Sequence, residues 1–330
     1  MARARARESF AIGNVRVRAG TTKEVELPIT RLVTGGDVSL PVLVVHGREP
    51  GPTVWVNAAI HGDEVVGVEI IRRVTSGLRA RELRGTLVAV PVVNVLGFMA
   101  GDRYLPDRRD LNRSFPGSAR GSLASRIAHL FMTEVVAKCE VGIDLHTGSD
   151  RRTNLPQIRA DLDDPRTRRL AEAFGAPVML HARLRDGSLR QAARDVGAAV
   201  LLYEGGEAWR FNEAPIAAGA AGVRRVLATL GMVEDPADEQ PRPSAASRRS
   251  GWVRARGTGV LHLDVHLGDH VEDGQRLGGL SDTFGKRVRL VHADRSGIVV
   301  GLTRAPIVNA GDALVHIAEV EPPPAGDAVG

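Results

Sequence analysis

The chain has 330 residues, 43% hydrophobic and 25% charged, with 37 Gly and 18 Pro, which suits about two domains with real cores and excludes a disordered or collagen-like chain. No apolar run approaches the ~20 residues of a membrane span, and none follows the basic start Met1-Ala2-Arg3-Ala4-Arg5, so no signal peptide is visible; a lone cysteine, Cys139, can form no internal disulfide, and a cytoplasmic protein is expected. The net charge is +5, but the 44 basic residues include only three lysines (Lys23, Lys138, Lys286), lie scattered among 39 acidic ones and come with 4% aromatics, which argues against a nucleic-acid partner.

From about residue 10 to 232 strand-like and helix-like patterns alternate, which predicts an α/β layout with a central sheet flanked by helices. Strands are expected at Val42–Val45, Thr53–Ile60, Thr86–Val93, Val141–Leu145, Pro177–His181 and Ala198–Tyr203. Several are unbroken apolar runs, as in strands buried on both faces. Helices are expected at Glu64–Leu78, after Gly121-Ser122 where Leu123, Ile127, Leu130, Phe131 and Val135 recur at helical spacing, at Pro165–Phe174 and at Asn212–Leu230. Residues 1–234 thus form one α/β unit. Pro, Ser and charge dominate 235–250, which predicts a linker. Beyond it, 251–321 reads as short strands with glycine turns, a small all-β unit, and 322–330 as a disordered tail.

Chemistry-bearing residues fall at the ends of the apolar strands. His61 and Glu64, in Ile60-His61-Gly62-Asp63-Glu64, follow the strand Thr53–Ile60 at a strand-to-helix turn, where an imidazole and a carboxylate can point at one place. His146 ends a second run and is followed by Thr147-Gly148. Glu204 ends a third, followed by Gly205-Gly206. Ligands gather outside the carboxyl ends of strands in open α/β sheets, so three such side chains point to a site rather than to solvent decoration. The loop Arg108-Arg109-Asp110-Leu111-Asn112-Arg113-Ser114-Phe115-Pro116-Gly117 adds Arg and Asn donors suited to a carboxylate; the alternative is a surface loop with ion pairs such as Asp110 with an arginine.

Taken together and in this order, HGDE, RDLNRSFPG, DLHTG and YEGGE resemble the succinylglutamate desuccinylase/aspartoacylase family of the zinc carboxypeptidase-like group, over roughly residues 40–232. The resemblance implies one Zn²⁺ per chain held by His61, Glu64 and His146, with Glu204 as catalytic glutamate. It also implies that Asn112 and Arg113 hold a substrate carboxylate and that an upstream arginine polarises the scissile carbonyl. Arg103 is the choice for that arginine and Arg109 its rival; Arg159 and Arg194 are further candidates for substrate contact. Glu207 lies near enough to compete with Glu204. Asp144 is a candidate to orient His146, or else a strand carboxylate satisfied by the backbone, and Asp63 has no derivable role.

The expected activity is zinc-dependent hydrolysis of the amide bond in a small N-acyl amino acid or related metabolite. A metallocarboxypeptidase acting on peptides and an inactive ligand-binding module of the same fold are the alternatives. The C-terminal β unit has the outline of a biotinyl/lipoyl carrier, but Lys286 lacks the setting of a modified lysine, so the unit is expected to pack beside the catalytic part and narrow access to it.

Overall fold

The structure, a computed structural model, describes residues 7–234, 243–286 and 289–320. The basic start 1–5, residues 235–242 of the expected linker and the tail 322–330 lie outside the described residues. The elements in chain order are β1 (Phe10–Ile12), β2 (Val15–Val17), β3 (Thr21–Arg31), β4 (Asp37–His46), β5 (Glu49–Ala58), α1 (Val66–Ser76), β6 (Arg84–Val90), α2 (Val95–Ala100), α3 (Leu123–Glu134), β7 (Val141–Gly148), β8 (Arg152–Ala160), α4 (Pro165–Phe174), β9 (Val178–His181), α5 (Leu189–Asp195), β10 (Ala199–Glu207) and α6 (Glu213–Thr229). There follow β11 (Ala245–Ser247), β12 (Arg249–Arg254), β13 (Gly259–Leu263), β14 (His270–Val271), β15 (Arg276–Ser281), β16 (Arg289–His292), β17 (Gly297–Thr303), β18 (Ile307–Val308) and β19 (Ala313–Glu319).

The expected α/β architecture is present. The main sheet runs β12-β19-β17-β8-β10-β7-β5-β6-β4-β3. Its centre, β10-β7-β5-β6, is parallel, while β8 and β4 flank it antiparallel. Local chemistry sets the helices between these strands. Ser122 caps α3, and Asp164 caps α4 ahead of Pro165, whose missing N–H costs nothing at a first turn. Apolar clusters fill both faces of the sheet. Residues of α1, α4 and α6, such as Ile70, Phe174 and Val223, cover one side, while Phe131, Leu189 and Ile12 and Val17 of β1 and β2 cover the other. Inside the second cluster the Trp55 indole lies against β7 so closely that a Cβ on Gly142 would sit 2.0 Å from its ring, so only glycine fits there.

Within the segment expected to be a linker, residues 243–250 carry regular structure. Ala245–Ser247 runs parallel to β9, and Arg249 opens β12; among the described residues β9 otherwise bonds only β8, leaving an edge that a short strand can satisfy. The C-terminal β residues do have their own apolar core, which includes Leu277, Val299, Leu314 and Ile317. They are divided between a four-stranded sheet, β16-β15-β13-β18, and the main sheet, where β17 pairs antiparallel with β8.

At that junction His316 of β19 is buried and stacked on Trp252, with ring centroids 4.8 Å apart, and the Arg152 guanidinium lies over the same indole. Burial, reinforced by the positive charges of Arg159, Arg295 and Arg152, pushes the His316 imidazolium down to about 3. A histidine depressed in the folded chain takes up its proton on unfolding, so the stability it contributes is complete above its unfolded pKa of ~6.5. That stability falls by roughly 1 kcal/mol per pH unit as the pH drops from ~6.5 toward 3. Urea unfolding at pH 7 and pH 5 is expected to show a smaller acid loss for His316→Phe than for the parent chain; equal losses would remove His316 as the cause.

Candidate active site

The residues singled out at strand ends come together at the carboxyl edge of the parallel strands. After β5 the chain turns sharply at Ala59 (φ 48°), where Asn94 N–H donates to the Ala59 carbonyl. Gly62 then packs so tightly on α2 that a Cβ would meet backbone atoms of Gly97 and Phe98 at 2.1–2.3 Å, which explains the glycine of the HGDE turn. This turn delivers His61 and Glu64 to His146 at the end of β7, and all three are buried.

Each carboxylate oxygen of Glu64 faces one imidazole: Oε1 lies 2.8 Å from His61 Nδ1 and Oε2 lies 2.7 Å from His146 Nδ1. The far ring nitrogens are also held, His61 Nε2 by Asp110 Oδ1 at 3.2 Å and His146 Nε2 by Asp144 Oδ2 at 2.9 Å. Asp144 accepts in turn from Asn57 Nδ2, and Asn57 Oδ1 accepts from the Trp55 indole N–H. The hydrogen-bonded line therefore runs from the hydrophobic core into the site. Burial alone would raise the Glu64 carboxyl, but His61 and His146 outweigh it and hold it well below the usual range. Burial would lower His146, yet Asp144 and Glu64 raise it well above its ordinary value. Burial and the neighbouring Glu64 charge push Asp63 up.

This donor set fits a small divalent cation. Two imidazole nitrogens and a carboxylate oxygen, all buried, lie within 4.8 Å of one another, and an Asp on the far nitrogen of each histidine fixes the tautomer that leaves Nδ1 as the donor. A second grouping, Asp161, Asp163 and His181, is more open, and its carboxylates pair with Arg194 and Arg248.

Arg103 donates to Glu64 Oε1 at 3.0 Å and lies 3.5 Å from Asp110, whereas Arg109 is mostly exposed beside Asp107. Asn112 and Arg113 form a 3₁₀ turn capped by Asp110. The Asn112 side-chain oxygen accepts from Leu189 N–H, which ties this turn to the start of α5. Glu204 neighbours His146 across the β7–β10 ladder. Its Oε2 accepts from Asn154 Nδ2, and its Oε1 lies 3.4 Å from Arg159 Nε. Glu207 turns instead to Arg210 and Arg304. Arg194 is exposed and pairs with Asp161.

Sequence reasoning passed over three residues. In the sequence Asp110 reads as a surface ion-pair partner, though it sits two residues before Asn112 and clamps His61. Asn154 carried no motif. Arg190 is buried on α5, donates to the carbonyls of Ala182 and Arg183, and is pushed down to about 10 by burial and then by Arg159. An arginine set among Leu189, Ala192 and Ala193 on a short helix was the available signal for it.

Residues 50–230 match the family model of the succinylglutamate desuccinylase/aspartoacylase catalytic domain. The chain belongs to this family. It is 32% identical over 310 residues, 90% of either chain, to the N-alpha-acetyl-L-2,4-diaminobutyric acid deacetylase of Halomonas elongata. It is also 29% identical to the succinylglutamate desuccinylase of Burkholderia cenocepacia, over 53% of this chain and 54% of that one. Among solved structures, the succinylglutamate desuccinylase/aspartoacylase from Rhodobacter sphaeroides superposes with a TM-score of 0.81 at 26% identity, covering 91% of this chain and 96% of that one. The product-bound ectoine utilization protein EutE (DoeB) from Ruegeria pomeroyi gives 0.80 at 25%, covering 90% and 94%. Among the described residues no helix is long and apolar enough to cross a membrane.

Proposed function

We propose that this family member is a zinc-dependent deacylase that hydrolyses the amide bond of a small N-acyl amino acid or related metabolite. The observation that carries the reading is the convergence of His61 Nδ1 and His146 Nδ1 on the two oxygens of Glu64, each histidine held from behind by an aspartate. His61, Glu64 and His146 would hold a zinc ion, which would supply Lewis-acid polarisation and lower the pKa of water toward neutrality.

The remaining work falls to the chain. Glu204 takes the proton from the attacking water and returns it to the departing amine, as base and then acid. Arg103, set between Glu64 and Asp110, offers guanidinium donors to the charge that grows on the carbonyl oxygen. Asn112, Arg113 and the buried Arg190 take the substrate carboxylate, for which a guanidinium fork is suited. Asp144 and Asp110 keep the imidazoles from turning. The names of the two relatives above, a deacetylase and a desuccinylase, support an acyl amide as the scissile bond.

The test is release of free amine by the zinc-loaded protein from N-acetyl and N-succinyl amino acids, N-acetyl-diaminobutyrate among them, against short peptides. Chelator-sensitive release from the acyl amino acids alone is expected. Equal release of C-terminal residues from peptides would overturn the reading in favour of a carboxypeptidase, and no turnover with either panel would leave a binding module.

A further inference from the structure

β8 carries both groups that meet the Glu204 carboxylate, although Asn154 and Arg159 stand five residues apart, a spacing that in a regular strand puts side chains on opposite faces. The ladder between β8 and β10 explains this. Glu204 faces Gln157 and Gly206 faces Asn154, so two residues of β8, Leu155 and Pro156, oppose one of β10, Gly205, and β8 carries the extra residue. Such a bulge changes the relative facing of the side chains on its two sides, here placing Asn154 on the same face as Gln157 and Arg159. Proline suits the irregular position because it lacks an N–H to pair.

The other edge of β8 is occupied by β17, where Asn154 pairs with Gly301, and Gly301 pairs in turn with His316 of β19. A Cβ on Gly301 would lie 3.0 Å from Asn154 Oδ1, 3.2 Å from His316 Cβ and 3.3 Å from Trp252 Cη2. The stacked His316 and Trp252 rings and the bare Gly301 thus form a wall behind the Asn154 amide. Asn154 is itself 5% exposed, and its Nδ2 points at Glu204 Oε2.

We propose that Asn154 is a positioning residue for the Glu204 carboxylate, seated by the wall that Gly301, His316 and Trp252 present from the C-terminal strands. The proposal rests on the reading of Glu204 as the base. A carboxylate held by the Asn154 amide on Oε2, with the Arg159 charge 3.4 Å from Oε1, keeps one orientation toward the reacting water, and a displacement near 1 Å can cost ~10²-fold in rate. The C-terminal β residues therefore act on catalysis through Asn154.

The experiment is a double-mutant cycle in the zinc-loaded enzyme, with kcat, KM, metal content and unfolding midpoint measured for Asn154→Ala, Glu204→Gln and the pair. Asn154→Ala is expected to lower kcat about 10- to 100-fold with little change in KM or metal content. In the Glu204→Gln background it is expected to cost nothing further. Gly301→Ala, which keeps both side chains and only crowds the amide, is expected to lower kcat by a smaller factor, and it carries the test should Asn154→Ala fold poorly. An unchanged kcat in Asn154→Ala and Gly301→Ala while Glu204→Gln is inactive would overturn this proposal alone. The same fold loss in both backgrounds would also overturn it. Full activity of Glu204→Gln would overturn the base assignment and this proposal with it.

Discussion

Replacing Glu204 with Gln is expected to lower kcat by about 10²- to 10⁴-fold, the usual worth of a general base, while KM and metal content hold. The amide is nearly isosteric with the carboxylate and can still accept from Asn154, so the packing of β10 against β7 and β8 has no reason to change. What is lost is an atom able to take a proton from water and pass it to the amine. Steady-state kinetics of amine release from an N-acyl amino acid, alongside elemental analysis of the same preparation, is the measurement. Retention of activity within a few-fold would move the base elsewhere, with Glu207 as the next carboxylate on the strand, although Arg210 and Arg304 already engage it.

The second large effect concerns the metal donors. The wild type is expected to carry about one zinc per chain and His146→Ala close to none, with amine release falling to background. Removing that imidazole takes away one of three donors and leaves two buried carboxylates, Asp144 and Glu64, without the group that stands between them. Some loss of stability therefore accompanies the substitution. Chelation of the wild type separates the two effects: activity lost to a chelator and restored by zinc reports the metal alone. Asp144→Asn, which keeps the shape but weakens the hold on His146 Nε2, is expected to lower zinc affinity by about 10- to 100-fold. A His146→Ala protein that keeps its zinc, or a wild type that never holds any, would defeat the donor assignment.

The parts of this molecule that are plain in its sequence share a physical cause. β5, β7 and β10 are parallel strands covered on both faces, so they read as unbroken apolar runs, and a His or Glu at the end of such a run stands out. The helices α3 and α4 announce themselves by a capping residue and an apolar face. β8 does not. Its sequence, Arg152-Thr153-Asn154-Leu155-Pro156-Gln157-Ile158-Arg159-Ala160, lacks alternation because a bulge breaks it and because polar residues point into the site rather than toward water. β3 was hidden for another reason: it is a polar edge strand interrupted by Pro28, which an edge tolerates and a periodicity count does not. Asp110 has two duties, capping the turn at Leu111–Arg113 and holding His61, and only the first is local enough to be visible in one dimension. The joint between β8 and β17 brings together residues almost half the chain apart, and no local pattern records it.

That joint bears on the order in which the protein becomes itself during synthesis. His61, Glu64 and His146, together with Asp110, Asp144 and Arg103, leave the ribosome well before β17 is made. Until then the first residues of β8, 152–154, are an open border of the sheet beside the stretch that β9 pairs, a place where a growing chain is exposed to wrong pairings. Closing it requires contacts of long sequence separation, which form late and slowly. A nascent chain would therefore bring His61, Glu64 and His146 together first and seat the Glu204 carboxylate only when the downstream strands arrive, so that on the proposed reading the competence to hold a metal precedes the competence to cut.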